Sequence, residues 1–381
     1  MIDLSKVDTL VFAGGGVRGL SYASCLAEFA SMGLDFWSAR RTIKTVCGCS
    51  IGAMAAAFVT VGVTPKEFNE IARSRAMESV VSVDVRLLLS EWGLDSGEKL
   101  QQWIDHIIEA KVGKANITLK ECHALTGINF EVVVTNLNLD KVEYISHENS
   151  PMLTVSEAVV MSMSLPPVFS PRKWKCMVDF VKDAEVSDRI DAVGAMPADG
   201  DPIQIERGGS RTVGIAENLN LVKRVFDVRV EREYLVVDGG LRCNYPMMKY
   251  DGPNTIGFRL LWKNAFALNG IDRYISRVAS VALSASEQAD WRTISERARS
   301  HTVLLDVGDV STLQFALTDE ELESIMKLGK KAARTFAEAH GIGIADDDDE
   351  GGSSVVKGVK GVKAVSSVGT QTTTQTMTQT M

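Results

Sequence analysis

Apolar and polar positions along the chain follow two periods, one typical of strands and one typical of helices. Short runs of apolar and β-branched residues predict buried strands, whereas apolar residues recurring every three or four positions predict helices with one buried face. The predicted strands cover residues 9–13, 43–46, 128–135, 142–146, 255–261 and 302–307. The predicted helices cover residues 20–32, 53–58, 64–79, 96–108, 154–162, 271–299 and 318–340. Strands and helices alternate, which is the pattern of an α/β fold.

One strand-to-helix junction carries a serine between two glycines. Ser50 falls on the turn between the strand 43–46 and the helix 53–58, and Gly48 and Gly52 flank it at the G-x-S-x-G spacing. A sharp turn needs glycine at both places because a side chain there would collide with the neighbouring backbone. The segment is a candidate nucleophile elbow. Taken alone, it is equally typical of a helix-capping serine between two glycines.

A glycine-rich loop follows the first predicted strand and precedes a helix. It consists of Gly14, Gly15, Gly16, Val17, Arg18 and Gly19. Backbone without side chains leaves N–H groups free to point at a negative oxygen, so the loop is a candidate anion site. Two hypotheses compete for it. One is an oxyanion hole that serves a nucleophilic serine, and the other is a G-x-G-x-x-G dinucleotide site in which Asp35 binds a ribose.

Together with a third motif, these two segments resemble those of a known family. The glycine loop 14–19, the Gly-Cys-Ser-Ile-Gly segment around Ser50 and the segment Asp238-Gly239-Gly240 stand in the order and rough spacing of the patatin-like phospholipases. Three motifs in one order are far more specific than any one of them. After the third motif, Asn244 and Pro246 continue in the family's manner, and Asn244 is expected to shape the aspartate loop or to be an ordinary turn residue.

The resemblance implies a mechanism and a fold. Ser50 attacks an ester carbonyl, Asp238 accepts its proton directly, and water then releases the fatty acid from an acyl-enzyme. The amides of Gly15 and Gly16 hold the oxyanion. Arg18 orients the glycine loop or meets a lipid phosphate, with a surface salt bridge as the alternative. The implied fold is a three-layer α/β/α arrangement around a central, mainly parallel sheet, and the implied substrates are phospholipids or lysophospholipids, with no metal and no cofactor.

Two rival hypotheses remain open. A Ser-His-Asp triad of the α/β-hydrolase type would use His301, because His340 ends the last predicted helix as a C-terminal cap. Such hydrolases normally have several strands before the elbow, and this chain has room for only one. The other rival is a non-catalytic nucleotide-binding protein that uses the glycine loop alone. For the dyad, a free aspartate is a weak base, so we expect burial to raise the pKa of Asp238.

Composition and charge narrow the class of protein. With 381 residues, 45% hydrophobic and 24% charged, the chain has an ordinary globular composition. The net charge of −8, without a long basic stripe, argues against a nucleic-acid binder. The cysteines are dispersed without metal-ligand spacing, which predicts free thiols, a cytoplasmic setting and no metal site. The sequence predicts neither a signal peptide nor a transmembrane segment.

A long insertion separates the serine-proline stretch 161–171 from Asp238. In the resembled family the aspartate motif follows soon, whereas here about sixty residues, 172–234, intervene, and a lid or a solvated loop is expected. The alternation over 225–230 predicts a hairpin within it. At its start, a basic and aromatic run suits an anionic membrane surface, as a peripheral contact or simply as an exposed loop. This run is Arg172, Lys173, Trp174 and Lys175.

The last part of the chain is of low complexity. Residues 346–381 contain an acidic run, lysine repeats and a Thr/Gln tract. Such a composition has too little apolar surface to offset the entropy of ordering it, so a disordered tail is predicted. One catalytic domain is therefore expected over residues 1–345.

Overall fold

A mixed sheet organises the computed structural model of the chain, which describes residues 2–3, 6–33, 42–74, 78–79, 84–179, 229–261, 271–308, 310–314 and 316–342. Its strands are β1 (Thr9–Phe12), β2 (Thr45–Cys49), β3 (Asn129–Asn136), β4 (Lys141–Ile145), β5 (Arg172–Asp179), β6 (Arg229–Asp238), β7 (Thr255–Leu261) and β8 (Thr302–Asp306). The helices of these residues are α1 (Ser21–Ser31), α2 (Ile51–Val61), α3 (Pro65–Arg73), α4 (Val85–Ser90), α5 (Glu98–Val112), α6 (Leu119–Thr126), α7 (Val155–Met163), α8 (Ile271–Thr293), α9 (Glu296–Ser300) and α10 (Asp319–Ala339).

The centre of the sheet is parallel. The strands β3, β2, β1, β7 and β8 lie side by side in that order, and each neighbouring pair is parallel. The strands β4 and β6 both pair antiparallel with β3, and β5 pairs antiparallel with β6. The carboxyl ends of the parallel strands therefore meet at one edge of the sheet, which is where ligand sites of α/β folds lie.

Helices cover both faces of the sheet. Successive residues of a strand point to opposite faces, so neighbouring residues of one strand pack against different helices. On β1, Leu10 and Phe12 belong to a core that includes Leu26 of α1. The residue between them, Val11, belongs to a second core with Ala298 of α9. The molecule is thus a three-layer α/β/α structure around a mainly parallel sheet, and this prediction is confirmed.

The long helix predicted over residues 271–299 is in fact two helices. The helix α8 ends at Thr293, and Ser295 then begins α9 as its N-cap, with Oγ accepting a hydrogen bond from Ala298 N at 3.1 Å. A serine cap offers the backbone an alternative to continuing the helix. The sequence pattern also misses α4 and α6, which are only 6 and 8 residues long.

Both ends of the predicted insertion are paired strands of the sheet. The strands β5 and β6 pair with each other, from Arg172 opposite Val236 to Asp179 opposite Arg229. The hypothesis of a lid therefore concerns residues 180–228 alone, which lie outside the described residues together with most of the predicted hairpin. The tail 346–381 also lies outside them.

The membrane contact predicted for the start of β5 is wrong for its tryptophan. Trp174 is 2% exposed, and its Nε1 donates to Ser150 Oγ at 2.8 Å, because alternate residues of this strand point into the core. Lys173 and Lys175 point to the other face, and both pair with Glu233. The alternative of an exposed loop is wrong as well, since the segment is a strand.

Two further observations concern membrane-spanning helices and the cysteines. Within the described part of the chain, no helix combines the length and the apolar character needed to cross a bilayer. All six cysteines are free thiols, as predicted: Cys25, Cys47, Cys49, Cys122, Cys176 and Cys243.

Candidate active site

The strand β3 brings the serine and the aspartate together. Cys49, the last residue of β2, pairs with Val133 of β3, and Asp238, the last residue of β6, pairs with the next residue, Val134. Because β2 runs parallel and β6 antiparallel to β3, the two strand ends meet at adjacent positions. Ser50 follows Cys49 directly, and its Oγ donates to Asp238 Oδ2 at 2.6 Å.

The turn at Ser50 is a strained strand-to-helix junction. Its backbone has φ 53° and ψ −126°, a conformation that costs a non-glycine residue about 1–3 kcal/mol. The two flanking glycines make the turn possible, since a Cβ on Gly48 would lie 2.1 Å from Gly52 O. Ser50 is the N-cap of α2, and 9% of the residue is exposed.

A second serine holds the elbow in place. Ser50 N donates to Ser162 Oγ at 2.9 Å, and that hydroxyl donates to Val133 O at 2.6 Å. The hydroxyl thus ties the end of α7 to both β3 and the turn. The sequence did not indicate this role, although buried serines within a mainly apolar helix were the available signal.

The candidate base is completely buried. Burial raises the pKa of Asp238 from its ordinary 3.8 to about 6, against the lowering effect of hydrogen bonds from Ser50 Oγ and from Gly240 N, the latter at 2.7 Å. Its backbone is fixed from two sides: Asp238 N donates to Ser164 O at 2.9 Å, and Thr135 Oγ1 donates to Asp238 O at 2.9 Å. The carboxylate is a stronger base than a free aspartate, and it faces the serine hydroxyl.

The loop after Asp238 clamps the glycine loop beside the dyad. Gly14 N donates to Asn244 O at 3.0 Å, and Asn244 Nδ2 donates back to Gly14 O at 3.2 Å. A Cβ on Gly14 would lie 2.3 Å from Asn244 Oδ1 and 3.2 Å from Ser50 Cβ, so a side chain here would displace the Asn244 amide. Asn244 therefore fastens the glycine loop to the base motif, beyond the expected role of shaping its own loop.

The remaining glycines of the motifs also pack closely. Gly16 has φ +61° and lies against Thr312, where a Cβ would be 2.0 Å from the carbonyl oxygen. A Cβ on Gly19 would meet Ile51 at 2.5 Å. No described residue accepts a hydrogen bond from the amides of Gly15 and Gly16.

Arg18 is a buried residue that links the glycine loop to the segment after β8. It is 0% exposed, its Nε donates to Val310 O at 2.5 Å, and burial lowers its pKa to about 10. The neighbouring Val17 N donates to Thr312 O at 3.1 Å. Because Arg18 is buried, it does not lie at the surface, as the salt-bridge alternative requires. Orientation of the loop is the role that fits.

The long helix α8 supports the loop after Asp238, a contact that the sequence did not indicate. Ser286 Oγ accepts from Asn244 N at 3.3 Å, and Asp290 Oδ2 accepts from Tyr245 N at 2.9 Å. Burial raises the pKa of Asp290 to about 6. Both side chains accept hydrogen bonds from backbone amides, those of Asn244 and Tyr245. They therefore position the segment that holds the glycine loop.

The other candidate residues do not join the site. His301 precedes the amino end of β8, whereas Ser50 follows the carboxyl end of β2; β8 lies three strands from β2, about 14 Å at about 4.8 Å per strand. The structure thus does not bring His301 to Ser50. Asp35 of the dinucleotide hypothesis lies outside the described residues. Burial raises the pKa of the Cys47 and Cys49 thiols, so both pack and do not react.

A metal site is not visible either: among the residues whose placement is described, no three His, Cys, Asp or Glu side chains are grouped as ligands.

Comparison with known proteins gives one family. A family model described as patatin-like phospholipase matches residues 10–249. The uncharacterized protein R571 of Acanthamoeba polyphaga mimivirus is 28% identical over 173 residues, which cover 45% of this chain and 56% of that protein. The uncharacterized protein YqhO of Bacillus subtilis is 23% identical over 86% of this chain and 96% of its own length. The probable lipid hydrolase 463L of Invertebrate iridescent virus 6 is 26% identical over 44% of this chain and 56% of its own length.

The matches also include two solved structures. VipD from Legionella pneumophila is 14% identical with a TM-score of 0.47, covering 88% of this chain and 67% of VipD. Human GIVD cytosolic phospholipase A2 is 12% identical with a TM-score of 0.37, covering 88% of this chain and 61% of that one. The chain matches little more than half the length of two of the three sequence relatives.

Proposed function

The chain belongs to the patatin-like phospholipase family, and from this premise we propose that it is a lipid acyl hydrolase acting on phospholipids or lysophospholipids through Ser50 and Asp238. The observation that carries the proposal is the 2.6 Å hydrogen bond from Ser50 Oγ to Asp238 Oδ2 at a strained elbow. A relative named as a probable lipid hydrolase supports the same class of activity.

The first half of the reaction transfers the acyl group to the enzyme. As Ser50 Oγ attacks the ester carbonyl carbon, its proton moves to the Asp238 carboxylate. The carbonyl oxygen becomes an oxyanion that the amides of Gly15 and Gly16 stabilise, each donor contributing about 10²- to 10³-fold in rate. The carbon–oxygen bond to the alcohol then breaks, and Asp238 returns the proton to the leaving alcohol oxygen. An acyl ester on Ser50 remains.

The second half releases the fatty acid. A water molecule attacks the acyl carbon while Asp238 takes one of its protons, and the same amides hold the second oxyanion. Collapse of this intermediate breaks the bond to Ser50 Oγ, which recovers its proton from Asp238. A single carboxylate thus acts in turn as base and acid, for which a pKa of about 6 is suited near neutral pH.

The test is fatty-acid release from phosphatidylcholine vesicles and from lysophosphatidylcholine micelles. We expect turnover by the wild type and a loss of about 10³-fold or more in Ser50→Ala and in Asp238→Asn, because the two residues act as a unit. Turnover by either variant within tenfold of the wild type would contradict the dyad. Failure of the folded wild type on every lipid ester would contradict the activity itself.

Stability measurements provide the control for this experiment. Because burial raises the pKa of Asp238, the native state binds its proton more tightly than the unfolded state, so this carboxyl favours folding at low pH and costs stability once it is ionised above pH 6. Asp238→Asn removes that charge. Its free energy of unfolding at pH 7 should therefore not fall below that of the wild type, and lost activity will not reflect unfolding.

A further inference from the structure

The face of the helix α8 that packs on the rest of the molecule is mainly polar. Its side chains form hydrogen bonds or ion pairs with other segments: Ser280 with Thr312, Ser286 with Asn244, Glu287 with Arg259 and Asp290 with Tyr245. An ordinary surface helix packs its apolar face on the core and turns its polar face outward. The helix α8 therefore has its polarity reversed.

The opposite face of α8 carries a row of exposed apolar side chains. Tyr274 is 56% exposed, Val278 is 53% and Val281 is 51% exposed, and Ala285 is exposed one turn further on. These positions are four, three and four residues apart, so they lie in line along the helix. We call this row the α8 seam. Exposed apolar residues that are contiguous, rather than scattered singly, mark a contact surface.

The spacing of the α8 seam is that of a helix that packs on another helix. A row with two apolar positions in every seven residues is the narrow seam of a coiled coil, whereas a helix lying on a membrane has a wider apolar face. The described side chains beside the seam are small or polar, namely Arg277, Ala282, Ser284, Gln288 and Ala289. They leave room for a second helix to approach.

The α8 seam is complementary to itself when two copies of the chain pack antiparallel. With a two-fold axis between Val278 and Val281, each of these valines faces the other valine of the second copy, and Tyr274 faces Ala285. A large side chain then meets a small one at both ends of the contact, and two valines meet at its centre. Facing positions that alternate in size in this way fill the space between two helices.

The charges on α8 also permit contact with a second copy. The chain has a net charge of −8, so two copies repel each other in general. Among the carboxylates of α8 whose side chains are described, Glu287 is 5% exposed and paired with Arg259, and Asp290 accepts the Tyr245 amide. The seam thus brings two copies together without placing these carboxylates against each other.

The area of the α8 seam fits a weak dimer. Its four side chains expose on the order of 300 Å² in each copy. With the small and polar side chains beside the seam, two copies bury about 1,000 Å² in total, at the lower end of the range of specific interfaces. We propose that two copies of this chain form an antiparallel, two-fold symmetric dimer through the α8 seam, with a dissociation constant in the micromolar range. The inference does not depend on the proposed function.

The first experiment is sedimentation velocity of the full chain from about 2 to about 200 µM, a range that brackets a micromolar dissociation constant. We expect the average mass of the wild type to rise from that of a monomer towards that of a dimer. Val281→Glu places two carboxylates in each interface and should weaken the dimer at least about tenfold. The matched control is Leu125→Glu, at a leucine of α6 that is 61% exposed, and it should dimerise as the wild type does.

The second experiment tests the antiparallel register by disulfide cross-linking, and it does not require Val281→Glu to fold. Tyr274→Cys is mixed with Ala285→Cys under mild oxidation, with the wild type as the blank because its own cysteines are free thiols. In the proposed dimer the two introduced cysteines face each other, whereas two copies of one variant hold theirs about 16 Å apart along the helix. We expect a covalent dimer from the mixture and none from either variant alone.

Several outcomes would overturn the α8 seam as a dimer interface. A wild type that stays monomeric over the whole concentration range would do so, as would a Val281→Glu variant that dimerises like the wild type. A mixture that does not cross-link, or either cysteine variant cross-linking alone, would contradict the antiparallel contact. A monomer that binds anionic phospholipid vesicles, and loses this binding in Val281→Glu, would assign the face to a bilayer instead.

Discussion

Ser50 adopts a backbone conformation that a serine avoids, beside a carboxylate that burial makes unusually basic. A positive φ at a non-glycine residue persists only where the surrounding structure fixes it. Here the fixing groups are the Ser162 hydroxyl on the Ser50 amide and the close contact of Gly48 with Gly52. In this conformation Ser50 Oγ donates a hydrogen bond to Asp238 Oδ2 at 2.6 Å.

The pKa of Asp238 predicts how the reaction depends on pH. Only the ionised carboxylate accepts the proton of Ser50, and burial raises its pKa to about 6. For a neutral, soluble ester, kcat/KM should therefore increase about tenfold per pH unit below pH 6 and level off above about pH 7. A pH–rate profile between about pH 4.5 and 8.5 measures this.

Asp290 provides the control for that profile, since burial raises its pKa to about 6 as well. Asp290→Asn keeps an oxygen that accepts the Tyr245 amide, so the inflection near pH 6 should persist in this variant. An inflection that disappears with Asp290→Asn, or one that lies near pH 4 in the wild type, would assign the profile to a group other than a buried Asp238.

Among the elements, α7, β3 and the elbow are joined by one hydroxyl. Ser162 lies in the last turn of α7, accepts from Ser50 N and donates to Val133 O. A helix end, a strand and a turn that are distant in sequence thus share one hydrogen-bonded group. Small displacements of a nucleophile are costly in rate, so this group should matter more to turnover than to stability.

The variant Ser162→Ala tests this junction. We expect kcat to fall about ten- to a hundredfold and the free energy of unfolding to fall by about 1–2 kcal/mol, because a buried hydrogen bond is lost and the elbow shifts. The matched control is Ser164→Ala, whose hydroxyl donates to Val160 O at 2.7 Å and does not touch the elbow. It should lose similar stability with kcat within about twofold of the wild type. Equal kcat values in the two variants would show that the junction does not position Ser50.

Helices and strands were predictable from the sequence where the residues that determine them are neighbours in the chain. The periods around Ser50 predict a strand and a helix, and the structure has β2 and α2 there, because apolar alternation and glycines act within a few residues. The strand β5 was not predictable in this way. Trp174 pairs with Tyr234 of β6, and such a pairing leaves no mark within either segment. The break before α9 depended on a single capping serine within a helical pattern.

For the whole molecule, the three motifs predicted that Ser50 and Asp238 come together. They did not predict the hydrogen bonds that hold the glycine loop in place. The Ser50–Asp238 contact could be predicted because both residues belong to motifs of one family. The bonds that hold the glycine loop join Asn244 to Gly14 and Arg18 to Val310, which lie 230 and 292 positions apart. No period or motif encodes such pairs, since they depend on how the sheet places its loops at one edge.

The most direct measurement of the central claim is the intact mass of the protein after treatment with a small fluorophosphonate, made on the wild type and on Ser50→Ala in parallel. This reagent phosphonylates a hydroxyl that a neighbouring base activates far faster than an ordinary serine hydroxyl. We predict a single adduct on the wild type and none on Ser50→Ala, with Asp238→Asn reacting far more slowly. An adduct that persists in Ser50→Ala, or a folded wild type that forms none, would contradict an activated Ser50–Asp238 dyad.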